Sequence, residues 1–235
     1  MTDAFLTGMG WVNSAGFGTG RGDKAFSWGI GDLPQIRRPQ IFSDPHPHFG
    51  RLDRYSRLGI AAIALALRDA GMEQADLRGR SAALIASTVY GCLETDMSFL
   101  DSARSNGGRD ASPHLFAYTL SSTFLGEAAI EFGFTGPTYL VNEAHLTGST
   151  ALRMSAESIM EEESEIVAAG LCDLGPPPLL MADNAPSGAL FFILTQASCA
   201  GLSYGRLTIR GKDLLFEGEP VKNMIELAVG LSSER

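Results

Sequence analysis

Glu143, Ala144 and His145 follow a short apolar run, TYLVN at 138–142, which is preceded by Gly136-Pro137 and followed by Gly148-Ser149. The run has the composition of a strand, and 147–163 carries a helical pattern, so the three residues fall in a strand-to-helix turn. A helix start offers unpaired N–H groups and the positive end of the helix dipole, which stabilise an oxyanion and lower a thiol pKa. An imidazole at such a place is suited to general acid or base work. Two other readings stand beside that one. His145 could fill a pocket wall at an interface, or be a satisfied buried side chain with Glu143 as its hydrogen-bond partner. Residues two apart share a face on a strand but need not do so across a turn.

Other reactive residue types are present in patterns that point elsewhere. Gly8-Met9-Gly10 resembles the start of a dinucleotide fingerprint, but Asn13 stands at the third-glycine position and a polar, glycine-broken stretch follows. A turn needing positive φ is the simpler expectation there. His46 and His48 lie in a proline-rich loop without the Cys or carboxylate neighbours of a metal site. His114, Ser121 and Ser122 lack a G-x-S-x-G context. Glu161, Glu162 and Glu163 end a helix and read as a solvated run. Cys92, Cys172 and Cys199 are scattered and odd in number, which fits neither a disulfide framework nor zinc spacing and suits a reducing cytoplasm. Neither a cofactor nor a metal is expected.

The positioning elements alternate. Residues 5–12 read as a strand running into a Gly-rich turn, 54–71 as a buried helix capped by Ser56 and closed by Gly71, and 81–90 as a buried strand. A helix from Glu94 to about Arg104, a loop at 105–113 and a longer helical pattern over 114–134 come next. Strands at 138–142, 165–171 and 188–195 complete the series, and this alternation predicts an α/β fold with a parallel or mixed sheet. The tail differs: a hairpin around Gly211-Lys212-Asp213, then an amphipathic helix from Pro220 to Leu231 with Val221, Met224, Ile225 and Ala228 on one face. The expected division is 1–200 for the main domain and 201–235 for a hairpin and helix packed upon it.

With 235 residues, 45% of them apolar, the chain can bury a sizeable core. It contains no run of eighteen apolar residues, and MTDAFLTGMG lacks the basic and apolar regions of a signal peptide, so a cytoplasmic location is expected. A net charge of −9 argues against nucleic acid and anionic membrane as partners.

Four segments, in order, resemble the N-terminal half of β-ketoacyl synthases, which have the thiolase-like fold: LTGMGWVNSAGFG at 6–18, RYSRLGIAAIALALRDAGM at 54–72, GFTGPTYLVNEAHLTGSTAL at 133–152, and EIVAAGLCD at 165–173 with SGALFFILT at 187–195. They cover about 190 of the 235 residues. The tail is similar to that of short, chain-length-factor-like members, some encoded with aryl polyene pathways. The resemblance implies a thiolase-like half-fold: one βαβαβαββ unit with a mixed, mostly parallel sheet and helices on both faces, plus the C-terminal hairpin and helix.

It also implies where chemistry would lie. The family's strand ends in Thr-Ala-Cys; here Glu143 stands for Thr, Ala144 matches, and His145 stands for the acyl-carrying Cys. The family draws its remaining catalytic residues from a second half, for which the 40 residues after Thr195 are too few. The expectation is therefore a non-catalytic subunit that pairs with an active β-ketoacyl synthase, or with itself, in fatty acid or polyketide biosynthesis. Acyl carrier protein would be a further partner, although its usual acidity is not attracted by an acidic chain. Pairing is expected along 138–142, with Phe116, Tyr118, Phe124, Tyr139 and Val141 at the interface or acyl pocket. Alternatives are an acyltransferase or malonyl-thioester decarboxylase using His145, and a homodimer that binds acyl chains or carrier protein without chemistry.

Overall fold

The computed structural model describes residues 3–42, 48–180, 186–196 and 203–233. The first strand, β1 (Ala4–Asn13), turns directly into β2 (Gly16–Thr19). Gly8 and Gly10 lie inside β1, in contrast to the expected turn. Helix α2 (Arg54–Asp69) crosses them so closely that a Cβ on Gly10 would stand 2.1 Å from the Ala66 nitrogen. The glycine that the turn itself requires is Gly16, with φ 125°.

The other helices are α1 (Arg38–Ile41), α3 (Gln74–Leu77), α4 (Leu93–Arg104), α5 (Pro113–Phe116), α6 (Thr123–Phe132), α7 (Ser149–Met160) and α8 (Met224–Ser233). The strands continue with β3 (Ala82–Thr88), β4 (Thr138–Asn142), β5 (Ile166–Asp173), β6 (Gly188–Thr195), β7 (Gly205–Arg210), β8 (Asp213–Phe216) and β9 (Glu219–Pro220). They form one sheet in the order β4-β3-β5-β6-β1-β7-β8-β9, with β2 pairing β1 off this path. β3 runs parallel to both β4 and β5, while β6 is antiparallel to β5 and to β1. In the central five strands, β1, β3, β4 and β5 thus point one way and β6 alone runs against them.

Helices cover both faces. α2 and α6 bury Tyr55, Phe124 and Leu58 against one face, and α7 and α8 bury Leu152, Ile159 and Met224 against the other. Phe191 and Phe192 of β6 point to these opposite cores, which is why GALFFILT shows no polar alternation.

Several local expectations are corrected. Asp53, not Ser56, caps α2: its Oδ1 accepts the Ser56 N–H at 2.9 Å. The pattern over 114–134 is two helices, because the hydroxyls of Thr119 and Thr123 turn back to the carbonyls of Phe116 and Ala117. Pro220 pairs with Leu215 in β9, and α8 starts later, with Asn223 and Glu226 exchanging cap hydrogen bonds. No helix among the described residues is long and apolar enough to cross a membrane.

The C-terminal hairpin joins the sheet through β7 on β1. A buried carboxylate ties the segment before it to the body: Asp69 accepts the Met9 N–H at 2.9 Å, the Arg21 N–H at 2.7 Å and the Tyr204 hydroxyl at 2.7 Å. The Arg21 guanidinium lies 3.3 Å from the same carboxylate and 4.0 Å above the Tyr204 ring.

Candidate functional site

The C-terminal ends of β3, β4 and β5 meet the N-terminus of α7, the usual location of a site in a sheet of this kind. β4 ends at Asn142, and the Glu143 N–H continues the ladder to the Thr88 carbonyl at 2.8 Å. The Glu143 carboxylate then turns toward α7. Its Oε1 accepts from the Ser87 hydroxyl at 3.0 Å and the Thr150 N–H at 2.9 Å. Its Oε2 accepts from the Gly148 N–H at 2.9 Å, the Thr147 hydroxyl at 2.8 Å and the Thr147 N–H at 3.2 Å. Burial acts to raise the Glu143 pKa, but the hydrogen bonds from Thr147, Thr150 and Ser87 outweigh it and hold the carboxyl below its ordinary value.

Gly148 makes this cradle sterically feasible. It sits at φ 66°, and a Cβ there would meet Met224 Sδ at 2.5 Å. The Met224 N–H also donates to the Thr147 carbonyl at 2.9 Å, so the start of α8 buttresses the turn from behind.

His145 is exposed, contrary to the reading of a buried imidazole held by Glu143. Its ring has no hydrogen-bond partner among the described residues, and the Glu143 oxygens are committed elsewhere. With Val89, Tyr90, Leu146, Asp173 and Pro186 it lines a cavity of about 240 Å³. Asp173, which sequence reasoning did not single out, is the organising residue beneath it. Its Oδ2 accepts from the Thr88 hydroxyl and the N–H groups of Val89 and Tyr90, each at 2.8 Å, and its Oδ1 from the Gly175 N–H at 2.7 Å. The available signal was a charge closing the apolar run IVAAGLC.

The other candidates separate. Phe124 is fully buried against Tyr55 and Phe191, and Tyr118 is 9% exposed, so both belong to the interior of this chain. Phe116 is 64% exposed and packs on Phe99. Tyr139 is 50% exposed on β4, the terminal strand of the sheet, with Val141 half-buried on the same strand. Cys92 is buried against Ser121 and Asp96, and Cys172 is enclosed; burial pushes both thiols up. His114 is exposed and meets Tyr118 edge-on, His48 is exposed, and Glu161, Glu162 and Glu163 face solvent. His46 and Cys199 lie outside the described residues.

This geometry coincides with clear relationships to known proteins. Residues 33–190 match the family described as β-ketoacyl synthase, N-terminal domain. A protein assigned as polyketide β-ketoacyl synthase 1 of Streptomyces halstedii is 29% identical over 207 residues, covering 75% of this chain and 47% of the relative. One assigned as polyketide β-ketoacyl synthase 2 of the same organism is 25% identical over 180 residues, covering 72% of this chain and 42% of the relative. The chain thus spans less than half the length of these relatives. Among solved structures, the ishigamide ketosynthase/chain length factor superposes with a TM-score of 0.70 at 17% identity, over 88% of this chain and 62% of that one. A β-ketoacyl synthase from Burkholderia phymatum superposes with a TM-score of 0.67 at 17% identity, over 88% of this chain and 63% of that one. At that identity these structures establish the thiolase-like fold. With a family match across two thirds of its length, this chain belongs to the β-ketoacyl synthase N-terminal-domain family.

Proposed function

We propose that the chain is a ketosynthase-like subunit without an acyl-carrying thiol, acting as a chain-length-factor-like partner of an active β-ketoacyl synthase in polyketide or fatty acid biosynthesis. The observation that carries this reading is the Glu143 carboxylate seated on the N-terminus of α7. Acyl transfer at such a turn depends on free N–H groups and positive dipole to support a thiolate and an oxyanion. Here those groups already hold an anion, which repels a second one. His145, at the position that the resemblance gives to the thiol, has among the described residues no hydrogen-bond partner to orient its ring for catalysis.

The β4 edge supports a partner. Its outer side has no strand beside it among the described residues, and an exposed edge with an aromatic side chain is a template for pairing. The solved ketosynthase/chain length factor is a further support, since its name pairs the two subunit types.

The test is co-expression with each β-ketoacyl synthase of the source organism, followed by sedimentation of the purified product. A stable one-to-one complex is expected, weakened at least tenfold by Tyr139→Asp on the exposed edge (about 1.4 kcal/mol or more). A chain that stays apart from every synthase would overturn the reading.

A further inference from the structure

Helix α2 begins with an electrostatic oddity. Arg51 precedes it, Arg54 is its first residue and Arg57 its fourth, and no acidic residue lies in the first turn beyond the Asp53 cap. Cations at this end oppose the helix dipole. Asp53 Oδ1 accepts the Ser56 N–H and its Oδ2 the Thr95 hydroxyl at 2.6 Å, so its oxygens are engaged by the helix cap and α4 rather than by the guanidinium of Arg57. Arg54 pairs with Glu94 at 3.2 Å, both well exposed. Arg57 is half-buried, and its Nε makes one long hydrogen bond, 3.4 Å, to the Asp53 carbonyl. Its two terminal nitrogens have no hydrogen-bond partner among the described residues.

Arg54 and Arg57 stand at a cavity of about 340 Å³ whose walls include Leu33, Ile36, Leu58 and Leu174 and, among the described residues, contain no carboxylate. Its volume is near the lower end of the range for small-molecule sites. Leu33, Ile36 and Leu174 are only partly buried, so apolar surface is left open beside a guanidinium with spare donors. This cavity shares no lining residue with the one at His145. On a chain of net charge −9, a pocket whose described lining carries two arginines, one of them paired with Glu94 outside it, and no carboxylate is a local reversal of sign.

We infer that this cavity binds a small organic anion: a carboxylate or phosphate held by Arg57, with Arg54 beside it, and a short apolar tail against Leu33, Ile36, Leu58 and Leu174. Arginine suits either head group, since its planar donors can engage two oxygens at once.

Calorimetric titration of the full chain with octanoate, octyl phosphate, octan-1-ol and inorganic phosphate tests this. One of the two amphiphilic anions should saturate a single site, and which of them binds more tightly identifies the head group. Octan-1-ol and inorganic phosphate should each bind at least about tenfold more weakly, since each lacks one half of the recognition. Arg57→Gln should weaken the anion about tenfold or more, and Leu174→Glu, which places a carboxylate in the wall, should do the same. If either variant melts early, the comparison of octanoate and octyl phosphate with octan-1-ol on the unaltered chain decides alone. The inference is overturned if neither anion saturates, if octan-1-ol binds equally well, or if folded Arg57→Gln binds like the parent.

Discussion

The Oε2 of Glu143 accepts the N–H of Gly148 at 2.9 Å, so a side chain at the end of β4 closes the start of the helix five residues later. With Thr147, Thr150 and Ser87 it completes a cradle of five hydrogen bonds around one half-buried carboxylate. The side chain thus has a clear structural role, and its consequences are measurable.

Glu143→Gln keeps the size but loses the charge and reverses one hydrogen-bonding end. A charged acceptor on a helix terminus contributes about 1–2 kcal/mol at partial exposure. Since the folded carboxyl pKa lies below its ordinary value, this stability is fully present above the unfolded pKa, about 4.3, and is lost as pH falls through the folded one. Urea unfolding should therefore show the parent ahead of Glu143→Gln near neutrality, with the gap closing as pH falls below about 4.

Asp69 supplies the corresponding hold on the C-terminal part. Asp69→Ala leaves the Met9 and Arg21 N–H groups and the Tyr204 hydroxyl without their acceptor, and should cost about 3 kcal/mol or more. Hydrogen exchange should show β7 losing protection with it. Unchanged stability would remove the clamp from the account.

Gly10→Ala tests the closeness of α2 to β1. The added methyl would meet backbone atoms of Ala66 and Ala62 within 2.4 Å, and backbone cannot step aside as a flexible side chain can. A loss of at least about 1–3 kcal/mol in denaturant unfolding is expected.

The strands 138–142 and 188–195 were legible in the sequence because they are short apolar runs bounded by Gly, Pro or a polar turn. Helix α2 was equally plain from its apolar circumference and Gly71. The turn at 143–148 could be located, but Glu143's role could not. Its hydrogen bonds come partly from Ser87, on another strand, and from a helix start whose φ at Gly148 no pattern specifies. Phe124 and Tyr118 were expected at an interface or acyl pocket because the resemblance puts the segment 113–126 near a partner's acyl pocket. Their burial within this chain depends on the break between two helices that the pattern over 114–134 did not reveal. The break at 117–122 reorients α6, which carries Phe124 into the core against Gly59, where a side chain would collide with the ring. Asp69 and Asp173 were unreadable for the same reason: each gathers donors from segments far apart in the chain.

The most direct test is the reactivity of a thiol placed at position 145. His145→Cys and the double variant Glu143→Thr, His145→Cys can be treated with iodoacetamide near neutral pH, with labelling at residue 145 read by peptide mass spectrometry. If Glu143 occupies the helix N-terminus as described, the single variant should label like an ordinary exposed thiol. The double variant should label about tenfold faster or more, because the freed N–H groups lower the thiol pKa. Equal rates, or an already activated thiol in the single variant, would contradict the account.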